Sequence, residues 1–138
     1  MTINLNHTII SAHDKDASAG FMSGILGLDA PRHLGHFVVV DVGLTSLDFV
    51  STSDPIAPRH FAFLVSDEAF DQIFARIQAR GLAWWADPGR TQTGQINTYD
   101  DGRGLYFDDP NGHLLEIITR PYGSGGLAAD NPNPLLFR

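Results

Sequence analysis

Residues 104–116 read GLYFDDPNGHLLE. Apolar and aromatic residues lie on both sides of a central Asp-Pro-Asn-Gly, where Pro and Gly favour a tight turn. The pattern predicts two strands, Arg103–Asp108 and His113–Arg120, joined at residues 109–112. Side chains alternate between the faces of a strand, so the apolar neighbours of Glu116 would face a helix layer and its carboxylate the other side of the sheet. A carboxylate there must be solvated, paired or bound to a metal.

The residues before this hairpin predict a strand, a helix and a long loop. The helix has apolar residues at helical spacing, and Gly81 ends it. The predicted elements are a strand at Arg59–Ser66, a helix at Glu68–Arg80 capped by Asp67, a short strand at Leu82–Ala86 and a loop at Asp87–Asp101.

The first third of the chain shows a similar order of elements. The predictions are a strand at Ile3–Ser11, a helix at Ala17–Leu26, and strands at His36–Val42 and Leu44–Thr52. We therefore divide a single domain into module one (about 3–52), a linker (53–58), module two (about 59–120) and a tail (121–138). The tail contains several Gly and Pro residues and is expected to be extended or poorly ordered.

Each half of this repeat supplies one His on its first strand and one carboxylate on its last. The residues are His7 and Asp48 in the first half, and His60 and Glu116 in the second. If the two half-sheets pack side by side, these four side chains converge on one cavity. Two imidazoles with one or two carboxylates suit Fe, Mn, Ni, Co or Zn as the divalent ion.

The composition narrows the choice of partners and compartment. The chain has 138 residues, a formal charge of -7 and no cysteine, so any metal must be held by His, Asp or Glu. An acidic surface makes nucleic acid an unsuitable partner. No apolar run is long enough to span a membrane, and the amino terminus lacks the features of a secretion signal. A cytoplasmic protein acting on a small molecule is expected.

The repeat and the 104–116 segment resemble the vicinal-oxygen-chelate superfamily, which holds glyoxalase I, extradiol dioxygenases, fosfomycin-resistance proteins and bleomycin-binding proteins. The resemblance covers roughly residues 3–120. It implies an α+β fold in which two βαβββ modules form a cupped mixed sheet around a metal pocket, with helices on the outer face. It also implies a homodimer.

The family's metal ligands transfer onto His7, His60 and Glu116. A fourth ligand, known from glyoxalase I, falls on Asp48, which is one methylene shorter than the usual Glu, so contact through a water is the alternative. The acid/base His of the extradiol signature has no counterpart in residues 95–104, although its Tyr is present as Tyr106. The catalytic Thr of fosfomycin-modifying relatives falls on Ile9.

The glyoxalase-like ligand set matches best, which predicts a lyase or isomerase whose metal acts as a Lewis acid. Glu116 or Asp48 would move a proton, and Tyr106 would donate a hydrogen bond to the substrate. One alternative is an Fe(II) extradiol-type dioxygenase. The other is a non-enzymatic binder of drugs or metabolites.

Several residues outside the ligand set are candidates for substrate contact. Arg90 and Arg103 flank the long loop, where each could clamp an anionic group, although loop arginines are more often solvated. In the binder alternative, aromatic rings would stack on the ligand. These aromatic residues are Trp84, Trp85, Tyr99 and Tyr106.

Overall fold

The computed structural model describes residues 1–136 and has the predicted α+β fold, with two helices and two sheets. In chain order the elements are β1 (His7–Ala12), α1 (Lys15–Leu26), β2 (Arg32–Leu34), β3 (Phe37–Val42), β4 (Thr45–Ser51), β5 (His60–Leu64), α2 (Asp67–Ala79), β6 (Gly104–Asp108) and β7 (Leu114–Ile118). Short 3-10 turns lie at Tyr99–Asp101 and Gly126–Ala128. Neither helix within residues 1–136 is long and apolar enough to cross a bilayer.

The chain divides into two compact units. The first comprises Met1–Pro58 with Asp109–Gly112, and the second comprises Arg59–Asp108 with the segment from His113 onward. Unit 1 contains a four-stranded sheet in the order β1-β4-β3-β2, in which β1 runs parallel to β4 and the other pairs are antiparallel. This is the βαβββ arrangement that the resemblance implies, and its short exposed strand β2 is the one strand that the residue pattern did not predict.

Strand parity determines which side chains of unit 1 are buried. Ile10, Val38 and Phe49 lie on the sheet face that packs against α1 and are almost completely buried. Asp14 caps α1 by accepting hydrogen bonds from two backbone N–H groups, and Gly27 ends the helix in the left-handed conformation with φ 71°. The opposite face carries His7 and Asp48, as the alternation predicts.

The Asp-Pro-Asn-Gly turn belongs to unit 1 although it interrupts the second module. Asn111 Nδ2 donates to Ser18 Oγ at 2.8 Å, and Asn111 Oδ1 accepts the backbone N–H of His13 at 2.8 Å. Within the turn, Asp109 Oδ1 accepts the Asn111 N–H at 2.8 Å, and Gly112 takes a φ of 86° that suits Gly. The turn is therefore fixed by its own side chains and by contacts to residues 13 and 18.

Unit 2 has a three-stranded sheet in the order β5-β7-β6, so its module lacks one predicted strand. The segment Leu82–Ala86 is not a strand, because only Trp85 forms isolated bridges, to Tyr106 and to Thr93. Asp87 accepts hydrogen bonds from the backbone of Thr91 and Gln92 and turns the chain immediately after the bridge. The helix α2 is capped by the side chain of Ser66 instead of Asp67.

The tail also differs from the prediction. Over residues 121–136 it forms turns and a 3-10 turn instead of an extended segment. Its backbone N–H groups at Gly123 and Asn131 donate to the carboxylates of Asp100 and Asp101, respectively, in the long loop. The last two residues of the predicted tail, 137 and 138, lie outside the described residues. An ordered tail matters because it carries Tyr122.

Candidate metal centre

His60 and Glu116 meet on neighbouring strands of unit 2. The strands β5 and β7 are parallel with Ala62 opposite Glu116, which puts His60 and Glu116 on the same face as diagonal neighbours. His60 Nε2 lies 3.0 Å from Glu116 Oε1. The His and the carboxylate of the second half of the repeat therefore lie next to each other within unit 2.

One proton of His60 is placed by the contact of its other ring nitrogen, Nδ1. The backbone carbonyl of Leu114 lies 3.0 Å from His60 Nδ1, and because a carbonyl only accepts, Nδ1 carries a proton. A neutral His60 then presents an unprotonated Nε2 to the carboxylate. Two lone pairs at this distance repel each other unless a proton or a metal cation lies between them. Histidine ligands of metals are commonly held in this tautomer by such a bond.

Glu116 is fully buried, with an exposed fraction of 0%. Burial raises the pKa of Glu116 above its ordinary value, while hydrogen bonds from tyrosine and the contact with His60 act in the opposite direction. Oε2 accepts a hydrogen bond from the Tyr122 hydroxyl. The Tyr106 hydroxyl lies 2.6 Å from that of Tyr122 and must donate to it, because the Tyr122 proton is already used.

Tyr122 is a functional candidate that the sequence reasoning missed. It lies four residues after β7 and belongs to neither a strand nor a helix, so no periodicity marks its direction. Burial raises the pKa of both Tyr106 and Tyr122, which keeps the two hydroxyls protonated as donors. The only sequence signal is an aromatic residue six positions after the proposed ligand Glu116.

The donor set fits a divalent metal. An imidazole nitrogen and a carboxylate oxygen that each lie about 2.1 Å from an ion, at right angles, are about 3.0 Å apart. His60 and Glu116 have that separation. Among residues 1–136, three or more candidate ligands do not come together within either unit. The pair of His60 and Glu116 matches two of the ligands predicted from the sequence, and the ligand set stays a prediction.

His7 and Asp48 lie in unit 1, on one face of its sheet. Asp48 is 8% exposed and accepts a hydrogen bond from Ser46 Oγ at 2.8 Å, and His7 is exposed beside Asn6. Both line a cavity of about 450 Å³. Its other lining residues include Arg32, Leu34, Phe37, Asp41 and Leu44. This cavity combines apolar side chains with two carboxylates, an imidazole and a guanidinium, and small-molecule sites likewise combine apolar walls with a few polar groups.

The structure gives Arg103 a different role from the predicted anion clamp. Its guanidinium forms ion pairs with Asp71 at 2.7 Å and Asp67 at 3.1 Å, and it lies 4.4 Å from the ring centre of Phe70. All three partners belong to α2. Arg103 therefore ties the start of α2 to the start of β6, and both of its terminal nitrogens donate to side chains of α2.

Replacing Arg103 with Met is expected to lower the free energy of unfolding by about 1 kcal/mol, because one cation–π contact and a partly exposed ion-pair network are lost. Urea denaturation followed by circular dichroism measures this. Arg80→Met, at the exposed end of α2, is the matched control and should change little. If Arg103→Met leaves the stability unchanged and raises the KM, the predicted role of Arg103 as an anion clamp is supported instead.

Arg90 is similarly occupied. Its Nη2 forms an ion pair with Asp108 at 2.6 Å, and its guanidinium lies 5.6 Å from the Trp85 ring centre. Asp108 raises the pKa of Arg90 through this hydrogen bond. Arg90 also has a φ of 57°, a left-handed conformation that is uncommon for residues other than Gly. The arrangement favours a loop-fixing role over a clamp.

The aromatic candidates differ in what their side chains contact. Trp84 packs edge-on against Phe74 of α2 with ring centres 5.3 Å apart, which argues against its predicted contact with substrate. The Tyr99 hydroxyl donates to the Ala86 carbonyl at 3.4 Å. Tyr106 is buried, and its ring stacks on His60 at 5.9 Å between centres, so it faces the metal pair but its hydroxyl is bonded to Tyr122.

Comparison with known proteins identifies the family. The model of the Glyoxalase/Bleomycin resistance protein/Dioxygenase superfamily matches residues 4–117. The chain belongs to this superfamily. The resemblance drawn from residues 104–116 is thereby confirmed, and the matched range covers both His positions and both carboxylates of the predicted ligand set.

Within the superfamily, the chain is similar to enzymes of different named activities. It is 30% identical over 129 residues to the metallothiol transferase FosB of Shouchella clausii, covering 86% of this chain and 82% of the relative. Among solved structures, oxidase ChaP-H1 is 57% identical with a TM-score of 0.87, covering 89% of this chain and 100% of the other. For oxidase ChaP-H2 the identity is 55%, the TM-score 0.89, and the coverage 91% and 100%.

Proposed function

We propose that this protein is a metal-dependent oxidase that uses dioxygen on a small substrate bearing oxygen atoms. The observation that carries the proposal is the His60–Glu116 pair, in which Nε2 and a buried carboxylate oxygen lie 3.0 Å apart. The identity of 55–57% to two proteins named oxidases supports oxidation over the lyase or isomerase chemistry that the ligand set alone suggested.

The chain's residues provide three of the functions that such a reaction needs. Leu114 fixes the His60 tautomer through its carbonyl, and Tyr106 restricts the imidazole by stacking. Asp48 lies on the wall of the unit 1 cavity and is the carboxylate we propose as acceptor of a substrate hydroxyl proton, in place of the missing extradiol His. When bound, Fe(II) supplies Lewis acidity toward substrate oxygens and electrons toward dioxygen.

The proposed metal set is His60 and Glu116, completed by His7 as the sequence predicts. These three residues are the two imidazoles and one carboxylate typical of non-haem Fe(II) oxygenases. Asp48 as a fourth ligand remains the alternative to Asp48 as a base. A homodimer and a cytoplasmic location likewise stay predictions.

Transferase chemistry is disfavoured at one position. The residue two after His7, which is Thr in the fosfomycin-modifying pattern, is Ile9, and its side chain is 56% exposed. An aliphatic side chain there has no hydroxyl to orient a phosphonate or epoxide oxygen. We therefore do not extend the activity named for FosB to this chain.

Oxygen consumption is the direct test of the proposed function. Protein loaded anaerobically with Fe(II) and given a panel of catechols is expected to take up dioxygen in step with substrate loss, measured with an oxygen electrode. A dioxygenase stoichiometry needs no separate reductant, because both oxygen atoms enter the product. Chelator treatment should abolish the uptake, and re-addition of Fe(II) should restore it.

Two outcomes would contradict the proposal. Isomerisation of an α-ketoaldehyde–thiol adduct with Ni(II), Co(II) or Zn(II), without oxygen uptake, would return the assignment to a glyoxalase-like lyase or isomerase. Aromatic ligands that bind equally well with and without chelator, and are never converted, would instead support a non-enzymatic binding protein.

A further inference from the structure

The tail of unit 2 is bound to two consecutive acidic residues of the long loop. Asp100 is 0% exposed, and its carboxylate accepts the backbone N–H of Gly123 at 3.0 Å and of Gly125 at 3.2 Å. The Asp100 N–H in turn donates to the Asn131 carbonyl at 2.8 Å. A buried carboxylate with these partners is satisfied only while the tail stays in place.

Asp101 holds the same tail further along. Its carboxylate accepts the backbone N–H of Asn131 at 2.7 Å and of Asp130 at 3.1 Å, and Asn131 Nδ2 at 3.3 Å. These hydrogen bonds, led by the one from Asn131, lower the pKa of Asp101. Asp100 and Asp101 together form what we call the clasp.

The clasp has a backbone conformation that its surroundings must maintain. Asp100 and Asp101 have φ values of 57° and 61°, in the left-handed region that residues with a Cβ rarely adopt. Such conformations persist when neighbouring contacts over-determine them. Gly125 adds a close approach, because a Cβ at that position would lie 2.7 Å from Ala129 Cβ and 3.3 Å from Asp100 Cα.

The clasp fixes the segment that carries Tyr122 next to Gly123. The Tyr122 hydroxyl donates to Glu116 Oε2, while Glu116 Oε1 faces His60 Nε2. The two carboxylate oxygens of Glu116 thus have separate partners. A carboxylate with one oxygen occupied by a hydrogen bond binds a metal through the other oxygen, which leaves a coordination position open.

We propose that Asp100 and Asp101 are positioning residues: they hold Tyr122 on Glu116, so that this carboxylate offers only Oε1 to the metal. The inference rests on the proposed metal site but concerns how that site is oriented. Tyr122 supplies the orienting hydrogen bond, and the clasp, 22 residues earlier in the chain, keeps its hydroxyl in place.

Three variants test the proposal. Tyr122→Phe removes only the hydroxyl. Asp100→Asn removes one acceptor from the clasp and keeps the side-chain shape, and Asn tolerates the left-handed conformation as Asp does. Asp130→Asn is the matched control, because it also removes one negative charge, from the tail, while Asp130 contributes only its backbone N–H to the clasp. Melting curves confirm that each variant is folded.

Two readouts on metal-free protein report the clasp itself. In Asp100→Asn, amide hydrogen exchange at Gly123 and Gly125 is expected to accelerate about tenfold, as native-state opening of a loosened segment predicts. The Cζ resonance of ¹³C-labelled Tyr122, assigned by its loss in Tyr122→Phe, should shift as the hydroxyl leaves Glu116. Asp130→Asn should resemble the unsubstituted protein in both measurements.

Co(II) titration reports the consequence for the metal. Tyr122→Phe is expected to weaken Co(II) binding about tenfold and to change its visible absorption bands, as loss of an orienting partner typically does. Asp100→Asn should change both in the same direction by a smaller amount. If Asp100→Asn speeds amide exchange but leaves the Tyr122 resonance and the Co(II) bands unchanged, the clasp does not position Tyr122 and the inference is wrong.

Failure of the proposed function gives a different result. If the unsubstituted protein takes up no Co(II), the metal assignment fails. The Tyr122 resonance of the metal-free protein then tests the positioning role of the clasp. A shift in Asp100→Asn supports the inference that the clasp holds Tyr122 on Glu116, and the absence of a shift contradicts it.

Discussion

Replacement of His60 by Ala is expected to weaken divalent metal binding by about a hundredfold or more, the largest functional effect of any substitution proposed for this chain. The variant removes Nε2, the nitrogen 3.0 Å from Glu116 Oε1, and leaves a fully buried carboxylate with one fewer partner. Metal content after dialysis against buffered Fe(II) or Zn(II), measured by elemental analysis, gives the result directly.

The control for this variant is His36→Ala. His36 is an exposed histidine between β2 and β3. Its backbone carbonyl accepts a hydrogen bond from Lys15 Nζ at 2.8 Å. That contact survives the substitution, so metal content should not change. If His60→Ala keeps the metal content of the unsubstituted protein while remaining folded, the metal centre described here is wrong.

Glu116→Gln separates charge from shape at the same site. The amide keeps the side-chain volume but removes the negative charge that attracts a cation, so metal content should fall as in His60→Ala. Because burial raises the pKa of Glu116, the charged form is costly in the metal-free protein. The neutral variant is therefore expected to unfold at an equal or higher urea concentration, which equilibrium denaturation measures.

Replacement of Phe49 by Ala is expected to lower the free energy of unfolding by about 3–5 kcal/mol, the largest stability effect predicted here. Phe49 is 0% exposed and lies on the β4 face that packs against α1. The loss combines the transfer free energy of the ring with the cavity that it leaves. Urea denaturation followed by circular dichroism and fluorescence is the measurement.

The neighbouring residue provides the matched control. Asp48 lies on the other face of β4, beside Ile9 of β1, and accepts a hydrogen bond from Ser46. Asp48→Asn should change stability by less than about 1 kcal/mol, since the amide oxygen still accepts that bond. Equal destabilisation by the two variants would contradict the strand parity on which the site assignment depends.

Strand parity was predictable from the sequence because it depends on adjacent residues. Glu116 lies between Leu115 and Ile117, and the structure pairs it with Ala62 and Tyr106 on one face. His60 reaches the same face by the same alternation. This local rule predicted the face of Glu116, whereas a shared site with His60 was expected from the repeat and the resemblance.

The strand predicted at Leu82–Ala86 shows where local patterns stop being sufficient. Its apolar and aromatic residues have suitable propensities, but propensity in strands depends on pairing and burial. Trp84 turns toward Phe74 of α2, whereas Trp85 bridges to Tyr106. The Asp87 side chain then bends the chain by hydrogen bonds that a propensity pattern does not encode.

The sequence by itself determined the family, the α+β class, the helix and three longer strands of the first module, and the face on which Glu116 lies. These depend on residue spacing of two along strands and near four along helices, which is readable locally. Only the tertiary structure decided that Arg90 and Arg103 are occupied by carboxylates of the chain and that Tyr122 reaches Glu116. The Tyr122 contact requires a tail closed onto residues more than 20 positions earlier, and long-range hydrogen bonds of this kind leave no periodic trace in the sequence.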